Sequence, residues 1–134
     1  MSPTVGFLVF LTLTLALLAA VVRTGLRAQR RTHVKLVAIT VISLGVTIYF
    51  AERLGELYDL ESAGRITAIH LMIAKITVGA YLLPVVTGVW TWYDGKRRKL
   101  HGAVAWTVLA LTLATAVTGV MMVLGSTPLE IEGT

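Results

Sequence analysis

The chain has 134 residues, of which 56% are hydrophobic and only 14% charged, with a formal charge of +5 and a mean hydropathy of +0.81. A soluble domain carries about 25% charged residues, so this composition points to the bilayer as solvent. The absence of cysteine excludes disulfides, thiolate metal sites and iron–sulfur clusters, leaving His, Met and carboxylates as possible ligands.

No charge interrupts Met1 to Val22, and PTVGFLVFLTLTLALLAAVV is long enough to cross a bilayer as a helix. It lacks the cationic n-region of a signal peptide, which predicts a retained helix. The second apolar segment, LVAITVISLGVTIYFA, lies between Lys35 and Glu52, and the Lys35 stem can lengthen it by snorkelling. The third runs from Ile66 to Tyr93, with His70 and Lys75 inside it and Pro84 predicting a kink. The fourth runs from Gly102 to about Leu124, where GSTP ends it. In lipid each segment must satisfy its own backbone, so all four are expected to be helices. The predicted fold is an all-α integral membrane antiparallel four-helix bundle, a single domain over 1–134. Its helices fall at about 3–22, 33–51, 66–93 and 101–124, with a short mobile tail at 125–134. No internal repeat stands out.

Charge sets the expected orientation. Arg23, Arg27, Arg30, Arg31 and Lys35 flank the first loop, and Lys96, Arg97, Arg98 and Lys99 fill the third. The positive-inside rule puts these loops in the cytoplasm and both termini outside it, in the inner (cytoplasmic) membrane. Trp90, Trp92 and Tyr93 supply an aromatic belt at the same end. Because the cations cluster in two loops, they signal topology and not nucleic-acid binding. The loop ERLGELYDLESAGR at 52–65 is the longest, leaving no room for a soluble domain.

Topology also sorts the histidines. His33 and His101 open the second and fourth helices on the cytoplasmic side, and His70 lies near the far end of the third. From His70 to Trp92 a helix rises about 33 Å, roughly the hydrocarbon thickness, so His70 cannot share a site with the other two. A six-coordinate haem b takes one imidazole from each of two helices, and His33 with His101 meet that requirement. Arg30, Arg31, Arg97, Arg98 and Lys99 are close in sequence and suit propionates. Small or moderate faces continue from each histidine: Val37, Thr40, Leu44 and Thr47 after His33, and Ala105, Val108, Thr112, Thr115 and Gly119 after His101. The same faces equally suit plain helix packing in lipid, and the cations equally suit topology anchoring. A cofactor-free structural or assembly subunit, docked on other membrane subunits, is therefore the competing expectation. His70 is a candidate for a quinone head group, a proton relay or a hydrogen bond to Glu52 or Glu56. Lys75, as an intramembrane cation, is expected to snorkel or to pair with one of those carboxylates. No catalytic nucleophile, P-loop or HExxH motif is present, and the chain is not expected to be a complete enzyme.

The pieces RRTH at 30–33, HLMIA at 70–74, LP at 83–84, KLH at 99–101, Ala105 and TGV at 118–120 resemble the small four-helix membrane proteins associated with cytochrome oxidase assembly. HLMIA and KLHG are also similar to the ascorbate-reducible transmembrane b-type cytochromes, in which histidines on alternate helices hold two haems. The resemblance implies an electron-transfer or respiratory-chain role, with His33 and His101 as an axial pair and His70 belonging to a second one. This chain departs from both patterns, because no histidine occurs from Val34 to Ile69 and the first helix has none. Two bis-histidine haems are thus excluded, and the resemblance implies either a version with one haem b per chain or a cofactor-free relative.

Overall fold

The computed structural model describes residues 1–130, and Ile131–Thr134 at the end of the expected tail lie outside the described residues. Five helices carry the chain: α1 (Pro3–Leu26), α2 (Arg30–Gly55), α3 (Arg65–Ala80), α4 (Leu82–Tyr93) and α5 (Arg98–Gly125). Two short extended segments, β1 (Tyr58–Asp59) and β2 (Thr127–Pro128), a 3-10 turn at Leu60–Ala63 and another at Gly95–Arg97 complete the described residues. With α3 and α4 taken as one span, four segments are long and apolar enough to cross a membrane.

The boundaries follow local chemistry. Ser2 caps α1 by accepting from the Val5 amide at 3.3 Å, with Pro3 at the first helical position. At the other end, Gln29 N donates to Thr24 O (3.0 Å) and Ala28 N to Gly25 O (3.1 Å). This is a Schellman turn, and it holds Ala28 at φ 54, where glycine is usual. The interruption between α3 and α4 falls at Tyr81. Pro84 has no amide to offer the Ala80 carbonyl, and it is tolerated because it sits in the first turn of α4.

The chain forms two compact units, Met1–Tyr58 and the remainder from Asp59. The first is the α1–α2 hairpin. In the second, α3 and α4 together pack along α5. Beyond α5, Thr127 N donates to Ser62 Oγ at 2.9 Å, tying β2 to the 3-10 turn.

Burial in both units runs opposite to that of a water-soluble domain. The fully buried apolar residues are Leu54, Val108 and Met122, while Thr14, Thr40, Ser43, Thr47, Thr77 and Thr112 are among the buried polar ones. Leucine, isoleucine and valine side chains face outward instead. Lipid gives apolar surface no reason to hide, so small polar residues that let backbones approach take the interior. Thr14 is 1% exposed and its Oγ1 lies 2.7 Å from Ser43 Oγ and 2.9 Å from Thr47 Oγ1. In the second unit Thr77 Oγ1 lies 2.9 Å from Thr115 Oγ1 and reaches Leu111 O at 3.4 Å.

Those two clusters expose an internal repeat that the sequence did not suggest. Adding 63 to each α1 number and 68 to each α2 number converts the first hairpin into the second. Thr14 becomes Thr77, Thr47 becomes Thr115 and Ser43 becomes Leu111, which are the contacts found. Buried Thr40 and Leu54 become buried Val108 and Met122. The expectation of no repeat is corrected. The repeat conserves positions where two backbones meet and little else, because any apolar residue serves on the lipid side.

Candidate histidine clasps

The Schellman turn after α1 folds the chain back so that α2 begins at Arg30, and His33 occupies its fourth position. The ring comes to rest on the end of α1. Its Nδ1 lies 3.0 Å from Val21 O and 3.3 Å from Thr24 Oγ1. A Cβ on Gly25 would stand 3.1 Å from His33 Cε1, so glycine is what lets the ring lie against the helix. A carbonyl can only accept, so Nδ1 carries the proton.

The second unit repeats this arrangement. Asp94 caps the connecting 3-10 turn by accepting from Lys96 N at 3.1 Å, and α5 begins at Arg98. His101 is again the fourth residue of its helix. Its Nδ1 lies 3.1 Å from Thr87 Oγ1, and a Cβ on Gly88 would stand 3.2 Å from its Cε1. The Thr87 hydroxyl donates to Leu83 O at 2.8 Å and therefore accepts from Nδ1. Under the repeat relation Thr24, Gly25, Arg30 and His33 become Thr87, Gly88, Arg98 and His101. The two histidines selected from topology are thus equivalent residues in equivalent clasps.

His70 makes a third clasp of the same kind. Its Nδ1 lies 3.0 Å from Thr118 Oγ1, and the Thr118 hydroxyl donates to Ala114 O at 2.8 Å. A Cβ on Gly119 would stand 2.9 Å from His70 Cε1, the tightest of the three. Glu56 pairs with Arg53 at 2.9 Å. Within the second unit the clasps are reciprocal. His70 precedes Thr87-Gly88 by the same seventeen residues that separate His101 from Thr118-Gly119. Two antiparallel helices therefore exchange identical contacts, His70 on Gly119 and His101 on Gly88. The Tyr81 OH–Thr112 Oγ1 hydrogen bond at 2.7 Å lies at the centre of this exchange.

Other candidate residues are placed simply. Arg30, Arg31, Arg97, Arg98 and Lys99 are exposed around the helix starts. Arg97 stacks 4.9 Å from the Trp90 ring and lies 4.0 Å from Asp94. Glu52 and Lys75 are exposed, on α2 and α3 respectively. The small faces that follow His33 and His101 serve their own hairpins: Thr47 meets Thr14, Thr112 meets Tyr81 and Thr115 meets Thr77. The Thr-Gly halves of the clasps, Thr24-Gly25, Thr87-Gly88 and Thr118-Gly119, were the residues that sequence reasoning missed. Three Thr-Gly dipeptides matched to three histidines was the available signal.

No protein-family model matches the chain, and no curated protein or solved structure is detectably similar to it.

Proposed function

We propose that the protein is a membrane-embedded, cytochrome-like subunit or accessory factor of a respiratory or electron-transfer complex, holding one haem b through His33 and His101. What supports this is that His33 and His101 are equivalent residues of the two hairpins, each with its Nδ1 hydrogen-bonded to a protein oxygen. A haem ligand needs that state: the anchored Nδ1–H fixes the ring and raises the basicity of Nε2, the donor to iron. Each imidazole is thus held in the tautomer that an axial ligand would take. Bound haem would supply one-electron redox chemistry. The chain's own contribution is to orient two imidazoles through Val21, Thr24 and Thr87, and to offer Arg30, Arg31, Arg97, Arg98 and Lys99 to the propionates. The cationic loops are assigned to the cytoplasm and both termini to the opposite side.

The test is a reduced-minus-oxidised visible spectrum of the detergent-purified protein, expressed with ample haem. A sharp haem b α-band that vanishes in both His33→Ala and His101→Ala is expected. A folded but colourless protein overturns the proposal, and loss in His70→Ala alone means that the axial pair was wrongly chosen.

A second reading, a cofactor-free structural or assembly subunit, is favoured by one observation. The small faces beyond His33 and His101 are occupied by hydroxyl bonds within each hairpin. On that reading the clasps are interhelical hydrogen bonds, and replacing His33 or His101 lowers stability without any spectral consequence. A quinone site at His70 is the weaker third reading.

A further inference from the structure

One lipid-facing cation of the second unit is not repeated in the first. Lys75 lies on α3, and the repeat relation makes Thr12 of α1 its equivalent. Thr12 satisfies its hydroxyl by donating to Leu8 O at 2.8 Å. Lys75 is exposed and has no hydrogen bond or ion pair among the described residues. Hairpin packing does not require a cation here, because the first hairpin is built without one.

Depth makes this lysine costly. Ten residues separate it from Arg65 at the start of α3, a rise of about 15 Å. The span Arg65–Tyr93 has 29 residues and is about 43 Å long, so roughly 6 Å at each end stands outside a hydrocarbon layer of about 30 Å. Lys75 therefore leaves the helix about 9 Å inside that layer. An ionisable residue there calls for a partner.

Gly79, one turn further along, is a second and independent observation. Ala68, Lys75 and Gly79 are all exposed and lie within about 40° of one another around α3. Gly6, Gly25, Gly88 and Gly119 each lie under a ring, whereas a Cβ on Gly79 would meet nothing within 4 Å. Glycine weakens a helix interior, and no described contact uses this one. A lysine that only snorkels to water needs no glycine beside it. A neighbouring helix that must approach closely does.

Charge identifies the neighbour. None of the seven acidic residues falls within 1–51, 66–93 or 95–129. Glu52, the one nearest to lying inside a span, sits in the last turn of α2. A second copy of the chain thus offers no carboxylate at the depth of Lys75. We propose that the Ala68–Lys75–Gly79 face of α3 docks a transmembrane helix of a different protein, one carrying an aspartate or glutamate at that depth. The inference deepens the subunit role shared by the two main readings above and rests on that role, but not on haem.

The probe is a synthetic leucine–alanine transmembrane helix with one aspartate about 9 Å inside the hydrocarbon layer. It is reconstituted with the full chain in phosphatidylcholine vesicles, and binding is read by energy transfer between attached dyes. Wild type should bind it about tenfold more tightly than the same helix with asparagine in place of aspartate. Lys75→Leu and Gly79→Leu should each abolish that preference, and Lys75→Asp should select a lysine-bearing helix instead. Equal affinity for the two helices, or a preference that survives Lys75→Leu, overturns the inference. So does energy transfer between two labelled copies of the chain that Lys75→Leu removes, which assigns the face to a dimer.

A photo-crosslinker at position 72, on the same side of α3, distinguishes this failure from failure of the subunit role. In native membranes it should join the chain to another protein, and Lys75→Leu should remove that product. Protein crosslinks from the other helices alone overturn the inference and leave the subunit role standing. No protein crosslink from any helix overturns the subunit role itself.

Discussion

The two hairpins agree at the connecting loop and at mid-depth and differ at the far end. Both place a histidine on Thr-Gly beside the loop, and both bury a hydroxyl bond halfway along, Thr14 with Thr47 and Thr77 with Thr115. At the far end one closes with Phe50 on Gly6 and the other with His70 on Gly119. The difference separates two jobs. Close backbone approach over a glycine is the generic requirement of a hairpin in lipid, and what lies on the glycine is open to choice. Imidazole at all three clasps is thus an extra feature that packing alone does not demand.

Changes at the glycines break the comparison most strongly. Gly6→Ala drives a methyl into the Phe50 ring and should cost about 1–3 kcal/mol of stability in a mixed-micelle unfolding titration. Gly119→Ala should follow, since its Cβ would meet His70 at 2.9 Å, and Gly25→Ala and Gly88→Ala should cost less, at 3.1 and 3.2 Å. Gly45, with nothing within 4 Å, is the control. Gly45→Ala should be neutral or stabilise by up to about 1 kcal/mol through helix propensity. Equal losses at Gly6 and Gly45 would show that the close approach does not limit stability.

The mid-depth agreement is sharpened by deleting hydroxyls. Thr14→Val and Thr77→Val should each cost about 0.6 kcal/mol, and no more than about 1.7, with similar coupling to Thr47 and Thr115 in double-mutant cycles. Thr14 has two hydroxyl partners and should show the larger loss. A coupling confined to one hairpin would break the equivalence.

The smallest expected effects lie at the loop end. Thr24→Val and Thr87→Val each remove the threonine partner of a clasp histidine and should each shift any His-dependent haem band slightly. Ala28→Gly relieves the left-handed φ of 54 and should stabilise the first hairpin by about 1 kcal/mol.

Helix number, rough extents and the apolar exterior were legible in the residues, because a bilayer imposes length and composition on anything that crosses it. The interruption near Pro84 was legible for the same kind of local reason.

The partner of each histidine was not legible. His70 meets Thr118, forty-eight residues away, and only the packing of α3 on α5 brings them together. The repeat was hidden for a related reason. Lipid-facing positions accept any apolar residue, so equivalent helices drift until a few contact positions remain, such as Thr14/Thr77 and His33/His101. Sequence by itself determined four spans and placed His70 and His101 towards opposite ends of the second hairpin. Tertiary structure decided which side chain each Nδ1 bonds and which glycine each ring covers, because those contacts depend on helix register, and register is set only when two backbones meet.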